Sequence, residues 1–96
     1  MNKEDVIKTI SKKLSFLQQQ YNVKKLGVFG SVARGEEKQG SDIDVLVGFN
    51  SSVGFFDFIR LENFLSEMLK QKVDLVTKNA LKSVIKKQII KETLYV

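Results

Sequence analysis

The sequence predicts an α/β (α+β) fold, a small mixed β-sheet flanked by helices. Three observations carry that prediction. Two long segments, EDVIKTISKKLSFLQQQY and FFDFIRLENFLSEMLKQ, bear apolar residues at helical spacing. Three short runs, VKKLGVFG, DIDVLVGF and KVDLVT, are rich in β-formers. The two kinds alternate in the order α-β-turn-β-α-β-α, which suits helices packed on a small sheet.

Each element has its own warrant. In the first segment Val6, Ile7, Ile10, Leu14, Leu17 and Tyr21 share one helical face, with lysines outward. VKKLGVFG is a strand running into a Gly-Ser turn, and SVARGEEKQGS reads as one helical turn followed by a loop. In DIDVLVGF the apolar Ile43, Val45 and Val47 face away from Asp42 and Asp44. NSSVG breaks the chain before the second helix, whose stripe of Phe55, Phe58, Ile59, Leu61, Leu65, Met68 and Leu69 is expected to face the core. KVDLVT is the third strand. NALKSVIKKQIIKETLYV reads as a final helix, with Asn79 as N-cap and Leu81, Ile85, Ile89 and Ile90 turned inward.

Composition bounds the chemistry. The 96 residues suit one domain over 1–96, and 43% hydrophobic with 28% charged residues is ordinary for a globular chain. There is no apolar run of the roughly 20 residues a membrane span needs, and no signal-peptide core, so a cytoplasmic location is expected. Without cysteine or histidine the chain has no disulfide, no thiolate zinc site and no imidazole catalysis. Any metal must be held by oxygen, which favours magnesium, manganese or calcium. The net charge of +5 points weakly to an anionic partner, because the lysines are spread over three segments and solvate helix faces.

The stretch FGSVARGEEKQGSDIDVLVG holds the chemistry. Asp42 and Asp44 are two apart on a strand, so they share a face with Cα atoms about 6.5 to 7 Å apart. Such a pair can share one divalent cation or hold two of them about 3.5 to 4 Å apart. Asp74 in KVDLVT is the one candidate for a third carboxylate, and it converges with the pair if its strand lies alongside. Taken alone, a D-x-D is more often a turn or an exposed pair than a metal site. The Gly-Ser element changes that balance. Glycine leaves backbone N–H groups open to an anion and the serine hydroxyl adds a donor, which together make a phosphate cradle just after a strand. A phosphate cradle beside a carboxylate cage is the equipment of nucleotidyl transfer.

At these residues the sequence resembles the DNA polymerase β-like nucleotidyltransferase superfamily. Gly30-Ser31, ten intervening residues and then Asp42-x-Asp44 match its G-S-x10-D-x-D signature. The fuller string GSVARG…SDIDVLV is similar to its smallest branch, the minimal nucleotidyltransferases, and the resemblance covers nearly the whole chain. It implies a polymerase β-like palm fold and a two-metal mechanism with ATP as substrate. It implies that Gly30 and Ser31 contact the β- and γ-phosphates, and that Asp42 and Asp44 ligate two magnesium ions, with manganese as a substitute. Asp74 would join the metal next to the attacking hydroxyl. Arg34 matches the motif's arginine and stands with the nucleotide-binding residues, a salt bridge to loop carboxylates being its structural alternative.

The same resemblance implies a partner. The minimal branch pairs with helical HEPN-type toxins, and its members resemble antitoxins that transfer AMP to a tyrosine of the toxin. Two other readings stay open: a non-catalytic antitoxin that acts by occlusion, and an aminoglycoside-type small-molecule nucleotidyltransferase subunit. Direct nucleic-acid binding is not expected, since no fingers or RNA-binding domain is visible. Nothing else in the sequence resembles an acceptor cavity. Val53, Phe55, Phe56 and Phe58 cannot all face one core, so part of NSSVGFFDFIR is expected to form an exposed patch beside the site.

Overall fold

The chain folds as α1 (Lys3–Tyr21), β1 (Val23–Phe29), a four-residue α2 (Gly30–Ala33), β2 (Ile43–Phe49), α3 (Phe55–Leu69), β3 (Val73–Thr77), a 3-10 turn (Lys78–Ala80), α4 (Ser83–Glu92) and β4 (Leu94–Tyr95). This computed structural model describes residues 1–36, 38 and 40–96. The loop expected after α2 runs through Glu37 and Gln39, which lie outside the described residues. Helix α1 opens on Asn2, whose side chain accepts from the Asp5 N–H at 2.9 Å, and it closes on Asn22 in the left-handed region.

The sheet has the order β3-β2-β1-β4. β1 pairs antiparallel with β2 and β4, whereas β2 and β3 are parallel. Alternation along the strands sends Leu26, Val28, Ile43, Val45, Val47, Val73 and Leu75 to one face. There they meet Val6, Ile10 and Leu17 of α1 and Leu61, Leu65 and Leu69 of α3 in a single buried cluster. The outer edge of β3 is closed by α3: the Val73 N–H donates to Ser66 Oγ at 3.0 Å and the Leu75 N–H to Glu62 Oε2 at 2.9 Å.

Leu61 is fully buried in this cluster. Leu61→Ala is expected to cost about 2 to 5 kcal/mol, from lost transfer free energy plus the cavity left behind. Urea unfolding measures it, and a cost under about 1 kcal/mol would mean that α3 does not hold the sheet as described.

The predicted fold class is the one observed, with four corrections. The last helix does not run from Asn79 to the end. It spans Ser83–Glu92, with Lys82 at its N-cap, and Asn79 lies in the 3-10 turn. Its end is set by Thr93, whose hydroxyl and N–H both bond the Ile89 carbonyl, at 2.6 and 3.0 Å. Leu94 and Tyr95 then complete the free edge of β1, an option that local periodicity does not report. Ile85 is 46% exposed rather than turned inward, and Phe55 leaves its helix's core-facing stripe with 72% exposure. Central strands are expected to carry Asp42, Asp44 and Asp74, but β3 is an edge strand and only Asp44 sits on a central one.

Candidate active site

The site forms where β1 ends. Phe29 leaves the strand extended, and Gly30 turns the chain with φ +72°, a conformation that L side chains rarely adopt. A Cβ at Gly30 would fall on Asp44 Oδ2, so the turn closes directly onto that carboxylate. The cause is register: Phe29 pairs with Asp44 across β1 and β2, and Asp44 pairs with Asp74 across β2 and β3. Both carboxylates project from the sheet face opposite the core, one strand apart.

Asp42 stands one residue before β2, and its carboxylate pairs with Lys72 Nζ at 3.8 Å. Both groups are largely exposed, so the pair is weak and easily exchanged. The start of β2 is held by the Ile43 N–H on the Lys72 carbonyl at 2.9 Å and by Gln71 Nε2 on the Ser41 carbonyl at 2.7 Å. Ser31 lies in the first turn of α2, next to Gly30.

The structure thus brings together Gly30, Ser31, Asp44 and Asp74, with Asp42 at the rim. The electrostatics show what the cluster lacks. Burial pushes the Asp44 carboxyl above its ordinary pKa, and the charges of Asp74 and then Asp42 push it further; Arg34 opposes them and Glu92 adds to them. A carboxylate whose ionisation is opposed by burial and by two neighbouring acids is eased by a nearby cation. By donor chemistry, an oxygen-only set suits magnesium or manganese. No group of three or more His, Cys, Asp or Glu among the described residues is gathered closely enough to hold one. Asp44, half-buried, and Asp74, exposed, are paired in register, and Asp42 has only an exposed ion pair to give up.

Arg34, the C-cap of α2, is engaged with carboxylates. Its Nε lies 3.0 Å from Glu36 Oε1, and its Nη1 is 3.3 Å from each oxygen of Glu92. Those hydrogen bonds, Glu36 first, hold the guanidinium above its ordinary pKa. Glu92 also accepts from the Gly30 N–H at 3.2 Å. Sequence reasoning missed Glu92. It sits 62 residues from Gly30 in a lysine-rich helix, where it reads as one more solvated charge.

An open cavity of about 810 Å³ lies further along the same strands, lined by Lys25, Leu46, Phe55, Phe58, Lys78 and Tyr95 among others. Leu46 follows Asp44 by two residues on the same sheet face, but none of Gly30, Ser31, Asp42, Asp44 or Asp74 lines the cavity. Phe55 and Phe56, 72% and 75% exposed, form an apolar patch with Phe55 at the cavity's rim, but it lies past the far end of β2 rather than beside the carboxylates as expected. No helix among the described residues is long and apolar enough to cross a membrane.

Comparison with known proteins agrees with this fold. The family model for the nucleotidyltransferase domain matches residues 7–96. The protein adenylyltransferase MntA of Thermococcus cleftensis is 45% identical over 80 residues, 83% of this chain and 81% of that protein. A solved structure described as a minimal nucleotidyltransferase superposes with a TM-score of 0.83 at 32% identity, over 98% of this chain and 95% of that one. The fold is also that of a chain in the complex of a tri-AMPylated Shewanella oneidensis HEPN toxin with its MNT antitoxin. There the TM-score is 0.65 at 20% identity, covering 92% of this chain and 69% of that chain. A glycine turn closed onto a strand aspartate, with a second aspartate in register, therefore occurs here in a chain that belongs to the nucleotidyltransferase domain family.

Proposed function

We propose that this chain is a magnesium-dependent protein adenylyltransferase, which transfers AMP from ATP to a tyrosine hydroxyl of a HEPN-type toxin and so acts as its antitoxin. The contact between the Gly30 turn and Asp44 carries this reading, because it sets a phosphate cradle against the carboxylates that handle the reacting phosphate. Two relatives support the acceptor class. The Thermococcus relative is named a protein adenylyltransferase, and the toxin in the Shewanella complex is tri-AMPylated.

In this proposal the Gly30 N–H and the Ser31 hydroxyl hold the β- and γ-phosphates, and Arg34 adds a charge-assisted contact. Asp42, Asp44 and Asp74 would hold two magnesium ions, which when bound would neutralise charge at the α-phosphate and acidify the acceptor hydroxyl. The tyrosyl oxygen bonds to the α-phosphorus as the α–β anhydride bond breaks, and pyrophosphate leaves with the electron pair. Asp74, on the acceptor side, receives the phenolic proton. The exposed Phe55–Phe56 patch and the basic α4 form the docking surface for the toxin.

The test is a transfer assay with labelled ATP, magnesium and a HEPN-type toxin encoded beside this chain. Label on a toxin tyrosine, with release of pyrophosphate, is expected. Toxin bound but never labelled would replace the enzyme by an occluding antitoxin. Label on an aminoglycoside and none on the toxin would make the chain a small-molecule nucleotidyltransferase.

A further inference from the structure

Glu92 occupies donors that an anionic ligand would want. Its Oε1 accepts from the Gly30 N–H at 3.2 Å, and both of its oxygens lie 3.3 Å from Arg34 Nη1. Its side chain is only 21% exposed, although it ends a helix that has no buried residue of its own. The next residue explains the delivery. Thr93 is buried, its Cγ2 packs where a Cβ at Gly27 would stand, and the Val96 N–H bonds the Leu26 carbonyl at 2.9 Å. The Glu92 backbone is therefore anchored to β1, and the packing presents its carboxylate to the turn.

From this geometry we infer that Glu92 is a built-in competitor of the nucleotide: its carboxylate substitutes for a phosphate at Gly30 and Arg34 and must swing away before ATP can bind. On the adenylyltransferase reading, on which this inference rests, those two residues serve the triphosphate tail. A backbone N–H gives one strong hydrogen bond, and a carboxylate left beside a polyphosphate repels it. The two occupants are mutually exclusive. Gly30 is buried, so the contact also has a use in the free protein: it satisfies a donor that would otherwise be stranded. The free protein keeps a formed turn at the expense of affinity.

A protein that is binding-competent only when its Glu92 is withdrawn shows a weakened apparent affinity, by the competent fraction. Calorimetry should be run on the full chain and on Glu92→Ala and Glu92→Gln, with ATP plus magnesium and separately with inorganic tripolyphosphate. The expected result is binding about threefold to tenfold tighter for Glu92→Ala with both ligands, and a smaller gain for Glu92→Gln, which keeps an acceptor but loses the charge. Circular dichroism identifies a variant that has not folded, and the other then decides. Unchanged or weaker binding in the folded variants, while the full chain binds ATP, overturns the competitor and leaves Glu92 as a brace for the turn. Failure of every form to bind ATP overturns the adenylyltransferase reading as well.

Discussion

Asp44→Asn is expected to reduce AMP transfer by about 10³-fold or more while leaving the fold intact. The carboxylate sits between the phosphate turn and Asp74, so its loss removes the charge that holds the metals at the reacting phosphate. Metal-assisted charge stabilisation amounts to several kcal/mol of barrier, and each 1.36 kcal/mol is about tenfold in rate. Stability should move the other way. Burial and the neighbouring acids raise the Asp44 pKa in the folded chain above its unfolded value, near 3.9 for a free aspartate. Between those two values the folded state binds more protons than the unfolded one, so stability falls as pH rises through that window. At neutral pH the ionised Asp44 is a liability that asparagine lacks. Metal-free Asp44→Asn should therefore melt above wild type at pH 7, and the gap should close as pH falls toward about 4. Thermal melts from acid to neutral pH, run beside the transfer assay, check both halves. Full transfer, or a lower melting temperature at neutral pH, would remove Asp44 from the role given to it.

Gly30→Ala carries the second large effect. Alanine at φ +72° strains the backbone, at about 1 to 3 kcal/mol, and its Cβ lands on the Asp44 carboxylate. The acid must move or the turn must open, and either separates the cradle from the metal ligands. Misplacement on the scale of about 1 Å costs roughly 10²-fold in such reactions, so transfer should fall at least that far. Gly35→Ala is the matched control. It has the same φ of +72°, but a Cβ there meets nothing within 4 Å. The control should show the strain without the collision, losing stability and keeping most of its transfer. If Gly30→Ala retained as much transfer as Gly35→Ala, the turn would not be part of the site.

Much of this arrangement is legible in the amino-acid sequence, for reasons specific to each residue. Period-two alternation assigns Asp44 and Asp74 to the face opposite their apolar neighbours, whichever strands turn out to pair. Burying those neighbours against α1 and α3 excludes a one-residue slip, and in the observed register the two acids align. Glu92, the ends of α4 and the existence of β4 are not legible there. Each depends on a contact across the whole chain: Glu92 with Gly30, Thr93 over Gly27, and Tyr95 beside Gly27. Ile85 keeps helical spacing with Ile89 yet stays exposed, because α4 packs by its C-terminal end. Helical periodicity says which residues share a face and not how much of that face is covered.

The side chains that close β3 have a consequence for self-association. A sheet grows by adding a strand whose carbonyls meet unpaired edge amides, the contact that starts amyloid and many accidental aggregates. On β3 the outward amides of Val73 and Leu75 are already taken by Ser66 and Glu62. A stray strand must first evict a serine and a carboxylate from a packed helix. On the opposite side β4, with two residues, is itself too short a template for a stable added strand. A chain with no disulfide and a sheet open at both ends thus has one end plugged and the other cut short.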